Sequence, residues 1–177
     1  MKIAITGAQS TGKSTLLDSI KRDDRRDGLL PEYVFIDELT RSIKGKGIVI
    51  NENGDNLTQL LTNNTHIDNI LLNNFVSDRC IIDSYVYTIW LHRNGKIDEW
   101  VLLYSYHLFL TLVGMYDRIY YLKPEFDVVA DGVRSSSTSF RDEISNLFEE
   151  VINDHDIDVI KLTGSVQERT NQFYNHI

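Results

Sequence analysis

Residues 7–14 read Gly7-Ala8-Gln9-Ser10-Thr11-Gly12-Lys13-Ser14, preceded by Lys2-Ile3-Ala4-Ile5-Thr6 and followed by a helical run from Lys13 to Ile20. The octad fills every fixed position of the pattern G-x-x-x-x-G-K-[ST], in the strand–loop–helix context the pattern requires. Each residue type has a chemical reason. Gly7 and Gly12 let backbone N–H groups converge on phosphate oxygens with no Cβ in the way. Lys13 reaches the β and γ phosphates, and the Ser14 hydroxyl is a ligand for Mg²⁺. Ala8, Gln9, Ser10 and Thr11 form the cradle, and Thr15 follows in the first helical turn. The helix start adds the positive end of its dipole to the anion site. These residues predict a site for a nucleoside triphosphate with magnesium.

Outward from the octad, five segments read as strands: Lys2–Thr6, Tyr33–Asp37, Asn74–Asp78, Arg118–Leu122 and Val159–Leu162. Helical patterns lie between them. Leu57, Leu61, Ile67, Leu71 and Phe75 fall roughly on one helix face, and Phe140, Ile144, Leu147, Val151 and Ile152 form a second stripe. Ser139, three residues before Asp142, is read as the capping start of that second helix. Val166, Thr170, Phe173 and Ile177 form a last amphipathic series. Strands alternating with helices require crossover connections, which predict a parallel sheet covered on both faces. The polar stretch from Lys44 to Asn56 reads either as a disordered excursion or as a flap that closes on substrate.

Composition narrows the classes. The chain has 177 residues, a length for one domain, 1–177, with a real core. A formal charge of −8 and a pI near 5.0 argue against a broad non-specific nucleic-acid surface, though not against a local basic cleft. Cys80 is the single cysteine, which excludes an internal disulfide and fits a reducing, cytoplasmic setting. No signal peptide is visible before the first strand. The apolar run Trp100–Met115 is short of the ~17 residues that span a bilayer and carries Ser105, His107 and Thr111. It reads as a buried helix, with no membrane partner. The five histidines show no metal-ligand spacing.

Three further constellations bear on chemistry. Ser77-Asp78-Arg79 ends a strand, where a carboxylate faces the metal ion or its waters and the arginine grips an acceptor or a phosphate. A competing register makes Cys80-Ile81-Ile82 the strand and Asp83 the metal-side acid; the preferred one leaves Asp83 to cap the next helix. Asp37-Glu38-Leu39-Thr40-Arg41 follows the second strand, so Glu38, or else Asp37, is a candidate general base or acceptor clamp with Arg41 beside the acceptor. Asp131-Gly132-Val133-Arg134, in a long polar run that ends near Arg141, reads as a lid around 123–141. Arg134, and with it Arg141, would neutralise charge during transfer, unless one of them anchors the loop to Asp142 or Glu143.

The segments ITGAQSTGKSTL, DELTR, SDRCIIDSYVYT, DGVRSSSTSFRDEI and LTGSVQERTNQF, as an ordered set, resemble the small P-loop nucleoside and nucleotide kinases. The similarity is greatest to the ribosylnicotinamide-kinase-type domain and its phage-encoded relatives, often labelled AAA-type ATPases. DR-x-x-x-DS also resembles thymidylate kinases. The resemblance implies a P-loop NTPase fold, α/β in three layers with a five-stranded parallel sheet. It also implies an arginine-bearing lid and transfer of the γ-phosphoryl group of ATP to a small acceptor. Phage relatives that act on 5-hydroxymethyluridine within DNA extend the acceptor class to DNA and to polynucleotide ends, with the host cytoplasm as the setting. The chain carries no nicotinamide-nucleotide adenylyltransferase domain. A nucleotide-dependent switch ATPase with a protein partner is the reading from another class. A monomer or a homodimer fits either.

Overall fold

The computed structural model describes residues 1–37, 43, 45, 47–125 and 138–177. Among them, strands and helices alternate: β1 (Lys2–Thr6), α1 (Lys13–Asp27), β2 (Val34–Ile36), α2 (Asn56–Ile70), β3 (Phe75–Asp78), α3 (Ile81–Arg93), α4 (Glu99–Leu112), β4 (Arg118–Tyr121), α5 (Thr138–Asp154), β5 (Ile160–Lys161) and α6 (Val166–Tyr174). The five strands form one parallel sheet in the order β2-β3-β1-β4-β5. This is the predicted α/β class, and each predicted strand is present, β1 with its predicted bounds and the other four trimmed at one or both ends where their flanking residues leave the ladder.

Alternation along the strands divides the core in two. Ile3 and Ile5 of β1, Val76 of β3 and Tyr120 of β4 pack under α1 and α6 with Leu16, Leu17, Ile20 and Phe173. Ala4, Phe75, Ile119 and Tyr121 face the other way, onto Ile81, Phe109, Ile144, Phe148 and their neighbours from α3, α4 and α5. Pleating sends successive side chains to opposite faces, so short strands feed both layers. The register pairs Ile5 with Asp78 and Thr6 with Tyr121, and this brings the C-terminal ends of β1, β3 and β4 to one level.

Four sequence expectations are corrected. The α2 stripe is not Leu57–Leu61–Ile67–Leu71–Phe75: Leu57 and Leu71 are exposed, and Phe75 opens β3. The buried residues of α2 are Thr58, Gln59, Asn63, His66 and Ile70, a mostly polar face on which Gln59 and Asn63 find partners on α3 and α4. Ser139 lies inside α5, and its hydroxyl donates to Glu143 at 2.9 Å. Ile177 is exposed, whereas Thr170 and Phe173 dock α6. The run at Trp100 forms α4 and is buried on one side only, with Trp100, Leu103 and Leu110 in solvent. No helix among the described residues is long and apolar enough to cross a membrane. Of the polar stretch after Lys44, the described part packs against the start of α2, where Val49 O accepts from Thr58 Oγ1 at 2.7 Å and Ile50 is buried.

Candidate active site

The phosphate loop joins β1 to α1, and its backbone obeys local sterics. Gly7 sits at φ +139°, where a Cβ would stand 2.3 Å from the Leu122 carbonyl oxygen, so glycine is required on two counts. Gly12, at φ 90°, turns the chain into α1. Ser10 is also left-handed, at φ 59°, within the loop. Thr11 Oγ1 donates to Ala8 O at 3.0 Å. Lys13, nearly buried, donates from Nζ to the Gly7 and Ala8 carbonyls at 2.8 and 2.6 Å. Thr15 is exposed on the first turn of α1.

The end of β3 supplies the facing wall. Ser14 Oγ donates to Asp78 Oδ2 at 2.6 Å, which brings a hydroxyl and a carboxylate together at the mouth of the loop. Hard oxygen donors of this kind suit Mg²⁺. β3 ends at Asp78, so the alternative register, with a strand through Ile82, is not the one adopted. Asp83 occupies the third position of α3. Its Oδ2 accepts from Thr6 Oγ1 at 2.6 Å and from the Cys80 N–H at 2.9 Å, and its Oδ1 accepts from Arg79 Nη1 at 3.1 Å. It thus caps α3 from inside the helix rather than from its first residue. Burial pushes the Cys80 thiol pKa upward, so this cysteine stays a neutral packing group.

Arg79 is left-handed, at φ 87°, with its backbone N–H donating to Ile5 O at 2.9 Å. The guanidinium carbon lies 5.2 Å from the centre of the Tyr87 ring. Tyr87 OH donates to Gln9 Oε1 at 2.9 Å, which ties α3 to the phosphate loop. Arg79 lines two spaces at once: the cup of Gln9–Ser14, and a narrow cleft bounded by Asn51, Thr58, Gln59, Thr62, Asp83, Ser84 and Tyr87. Behind the cleft, Thr88 Oγ1 donates to Gln59 Oε1 at 2.9 Å, and Ser84 Oγ donates to Asn63 Oδ1 at 2.6 Å.

His66 lies in the same layer, fully enclosed, and neither ring nitrogen has a hydrogen-bond partner among the described residues. Burial is the main cause of its pKa, pushed down to about 4; Asp83 opposes the shift and Arg79 adds to it.

The other predicted residues fall in different places. Asp37 is exposed and ion-paired with Lys21 of α1. Arg141 lies in the first turns of α5, with Nε 3.4 Å from the carboxylate of its neighbour Asp142. Glu38, Arg41, Asp131 and Arg134, and with them most of the predicted lid, lie outside the described residues.

Sequence reasoning passed over Arg169. It is 2% exposed, donates from Nη1 to Thr11 O at 2.7 Å and pairs through Nη2 with Glu125 at 3.1 Å. Glu125 in turn accepts from the Gly164 N–H at 2.9 Å. The arginine therefore braces the phosphate loop from the C-terminal helix. No local motif announces it; an arginine on the inward face of an amphipathic helix was the available signal.

Comparison with known proteins agrees with the fold. A family model described as an AAA domain matches residues 2–169. Deoxyadenosine kinase from M. mycoides, solved with dCMP and a flexible dCDP, superposes with a TM-score of 0.66 at 17% identity, over 99% of this chain and 98% of that one. NadR, solved in complex with NR, superposes with a TM-score of 0.74 at 16% identity; 98% of this chain is covered, but only 50% of NadR. The chain thus spans about half the length of NadR. No curated protein sequence matches the chain.

Proposed function

The chain belongs to the AAA domain family, and from that premise and its paired sites we infer that it transfers the γ-phosphoryl group of ATP to a hydroxyl of a nucleoside. The observation that carries this reading is Arg79, which faces both the phosphate cup and the cleft beside it. A cation at that junction serves the phosphoryl group as it passes from one space to the other. The cleft itself is lined by neutral hydrogen-bonding groups: the Asn51 and Gln59 amides, the hydroxyls of Thr58, Thr62 and Ser84, and the Tyr87 phenol. Such groups suit a base and a sugar. A monophosphate acceptor calls for several cations, and among the described lining residues Arg79 is the one present. The deoxyadenosine kinase that shares the fold is consistent with this substrate class.

In this reading the loop N–H groups and Lys13 hold the β and γ phosphates, and Ser14 and Asp78 hold Mg²⁺. The ion, when bound, offsets charge on the phosphate oxygens. Asp83 keeps Arg79 aimed. Glu38 remains the proposed general base, with Asp37 and Arg41 near the acceptor and Arg134 over the phosphates.

The test is incubation with γ-labelled ATP and a panel of nucleosides, nucleoside monophosphates, polynucleotide ends and DNA containing 5-hydroxymethyluridine. Label in a nucleoside supports the reading. Label only in DNA moves the acceptor to the polymer, label only in a monophosphate moves it to nucleotides, and release of free phosphate alone turns the protein into a switch ATPase.

A further inference from the structure

We propose that Gln9 is a catalytic residue whose side-chain amide N–H donates to the transferring γ-phosphoryl group, with Tyr87 as the positioning residue that aims it. The proposal rests on the ATP-dependent transfer inferred above. Gln9 holds the third position of the octad, where the phosphate-loop pattern leaves the residue type open. Loop geometry therefore does not explain a glutamine there. Its side chain is 1% exposed, so each polar atom of its carboxamide is removed from bulk water. Oε1 accepts from Tyr87 OH at 2.9 Å, whereas Nε2 has no hydrogen-bond partner among the described residues.

A buried amide donor left unsatisfied is destabilising. Gln9 Nε2 lies in a loop whose sequence pattern is that of a phosphate cradle, and its neighbours in the cup are Ser10–Ser14 and Arg79. The group that would satisfy it is a phosphate oxygen. Its position decides which one. Gln9 is fastened to Tyr87, and Tyr87 lines the adjacent cleft rather than the cup. Nε2 therefore stands on the boundary between donor and acceptor spaces, which the γ-phosphoryl group crosses.

During transfer, the bond from the γ phosphorus to the β–γ bridging oxygen breaks and its electron pair leaves on ADP. A bond forms to the acceptor hydroxyl oxygen, whose proton passes to a carboxylate. Gln9 exchanges nothing; its N–H stabilises charge on an equatorial oxygen. The aim is fixed from behind. Asp83 holds Arg79, Arg79 lies against the Tyr87 ring, and Tyr87 OH occupies the carbonyl oxygen of Gln9 and so leaves the amide N–H pointing away from α3. An acceptor that touches Tyr87 in the cleft thus reports on the same side chain that meets the phosphoryl group.

The test combines turnover with binding of a transfer-state mimic. Wild type, Gln9→Glu, Gln9→Leu, Tyr87→Phe and the double variant Gln9→Leu/Tyr87→Phe are compared with Mg·ATP and a nucleoside acceptor. They are also compared for affinity to Mg·ADP with and without aluminium fluoride. Loss of one preorganised donor lowers kcat by about 10²–10³-fold, so both Gln9 variants are expected in that range with the ATP KM within about threefold. They should lose the extra affinity for the aluminium fluoride complex and keep the affinity for ADP, which also shows that the loop is folded. Gln9→Glu retains the acceptor for Tyr87 OH and so separates loss of the N–H from loss of packing.

Tyr87→Phe is expected to lower kcat about tenfold in the wild type and to have no further effect in Gln9→Leu. Wild-type kcat and wild-type preference for the fluoride complex in Gln9→Glu would overturn the proposal, as would an equal Tyr87→Phe effect in both backgrounds. If the wild type phosphorylates no nucleoside but the Gln9 variants still lose that preference, the acceptor assignment fails and the role of Gln9 stands.

Discussion

At the scale of single residues, the site is a set of short-range constraints that substitutions read one at a time. Lys13→Ala should reduce phosphate transfer at saturating ATP by at least ~10²–10³-fold, since it removes a preorganised charge from the transferring group. The fold should remain intact; activity near wild type would contradict the nucleotide assignment. Asp78→Asn should weaken catalysis through the metal and recover partly at raised Mg²⁺ or with Mn²⁺. The Ser14–Asp78 contact of 2.6 Å motivates this. Asp83→Asn should not recover in that way, because the carboxylate of Asp83 is engaged by Thr6, Cys80 and Arg79. Metal rescue of Asp83→Asn in place of Asp78→Asn would reverse the assignment. Gly7→Ala joins a positive φ to a 2.3 Å collision with the Leu122 carbonyl. It should destabilise the protein on the order of 3 kcal/mol, read as a lower denaturant midpoint at constant m-value.

At the scale of elements, α2 carries the clearest solution signature. The pKa of His66 lies at about 4 in the folded protein and near 6.5 when the chain is unfolded. Between those values the unfolded chain takes up a proton that the folded chain refuses. Stability therefore falls as pH drops from about 6.5 to about 4, by up to about 3 kcal/mol, and His66 adds no further loss below that window. His66→Leu should flatten that part of the stability–pH curve, measured by denaturant titration at several pH values. An unchanged slope would show that His66 is charged or exposed in the folded state. The same helix shows where sequence reading stopped. A stripe of Leu57, Leu61, Ile67 and Leu71 fits a helical period, yet α2 buries Gln59, Asn63 and His66 instead. Periodicity assumes that the inward face is apolar. Here the inward face meets Ser84, Thr88 and Ser105, and polar groups with partners can be buried. On α5, where the stripe from Phe140 to Ile152 is apolar throughout, the same reasoning identified the buried face.

At the scale of the whole molecule, the sheet was legible because each strand is announced locally and the octad supplies its own context. The brace on the phosphate loop was not, because Arg169 and Thr11 stand 158 residues apart, and only the assembled fold brings them together. Arg169→Met should cost about 1–3 kcal/mol, the effect of leaving the buried Thr11 without its donor, since the Glu125 end of the pair is open to water. It should also weaken ADP binding, since the Thr11 carbonyl loses its donor. Arg169→Lys should restore little of either, because an ammonium lacks the fork that spans Thr11 and Glu125. Thermal denaturation and ADP titration check both; wild-type ADP affinity in Arg169→Met would show the brace to be structural only.

The brace also has a consequence for order in time. The phosphate loop leaves the ribosome with its motif complete, but the guanidinium that grips its Thr11 carbonyl is made 158 residues later. At ~5–20 residues per second, the nascent loop waits on the order of ten seconds for that partner. Throughout the wait, the growing chain displays the full sequence signature of a nucleotide site without the contact that fixes it. The loop thus receives its brace only when α6 docks beside α1.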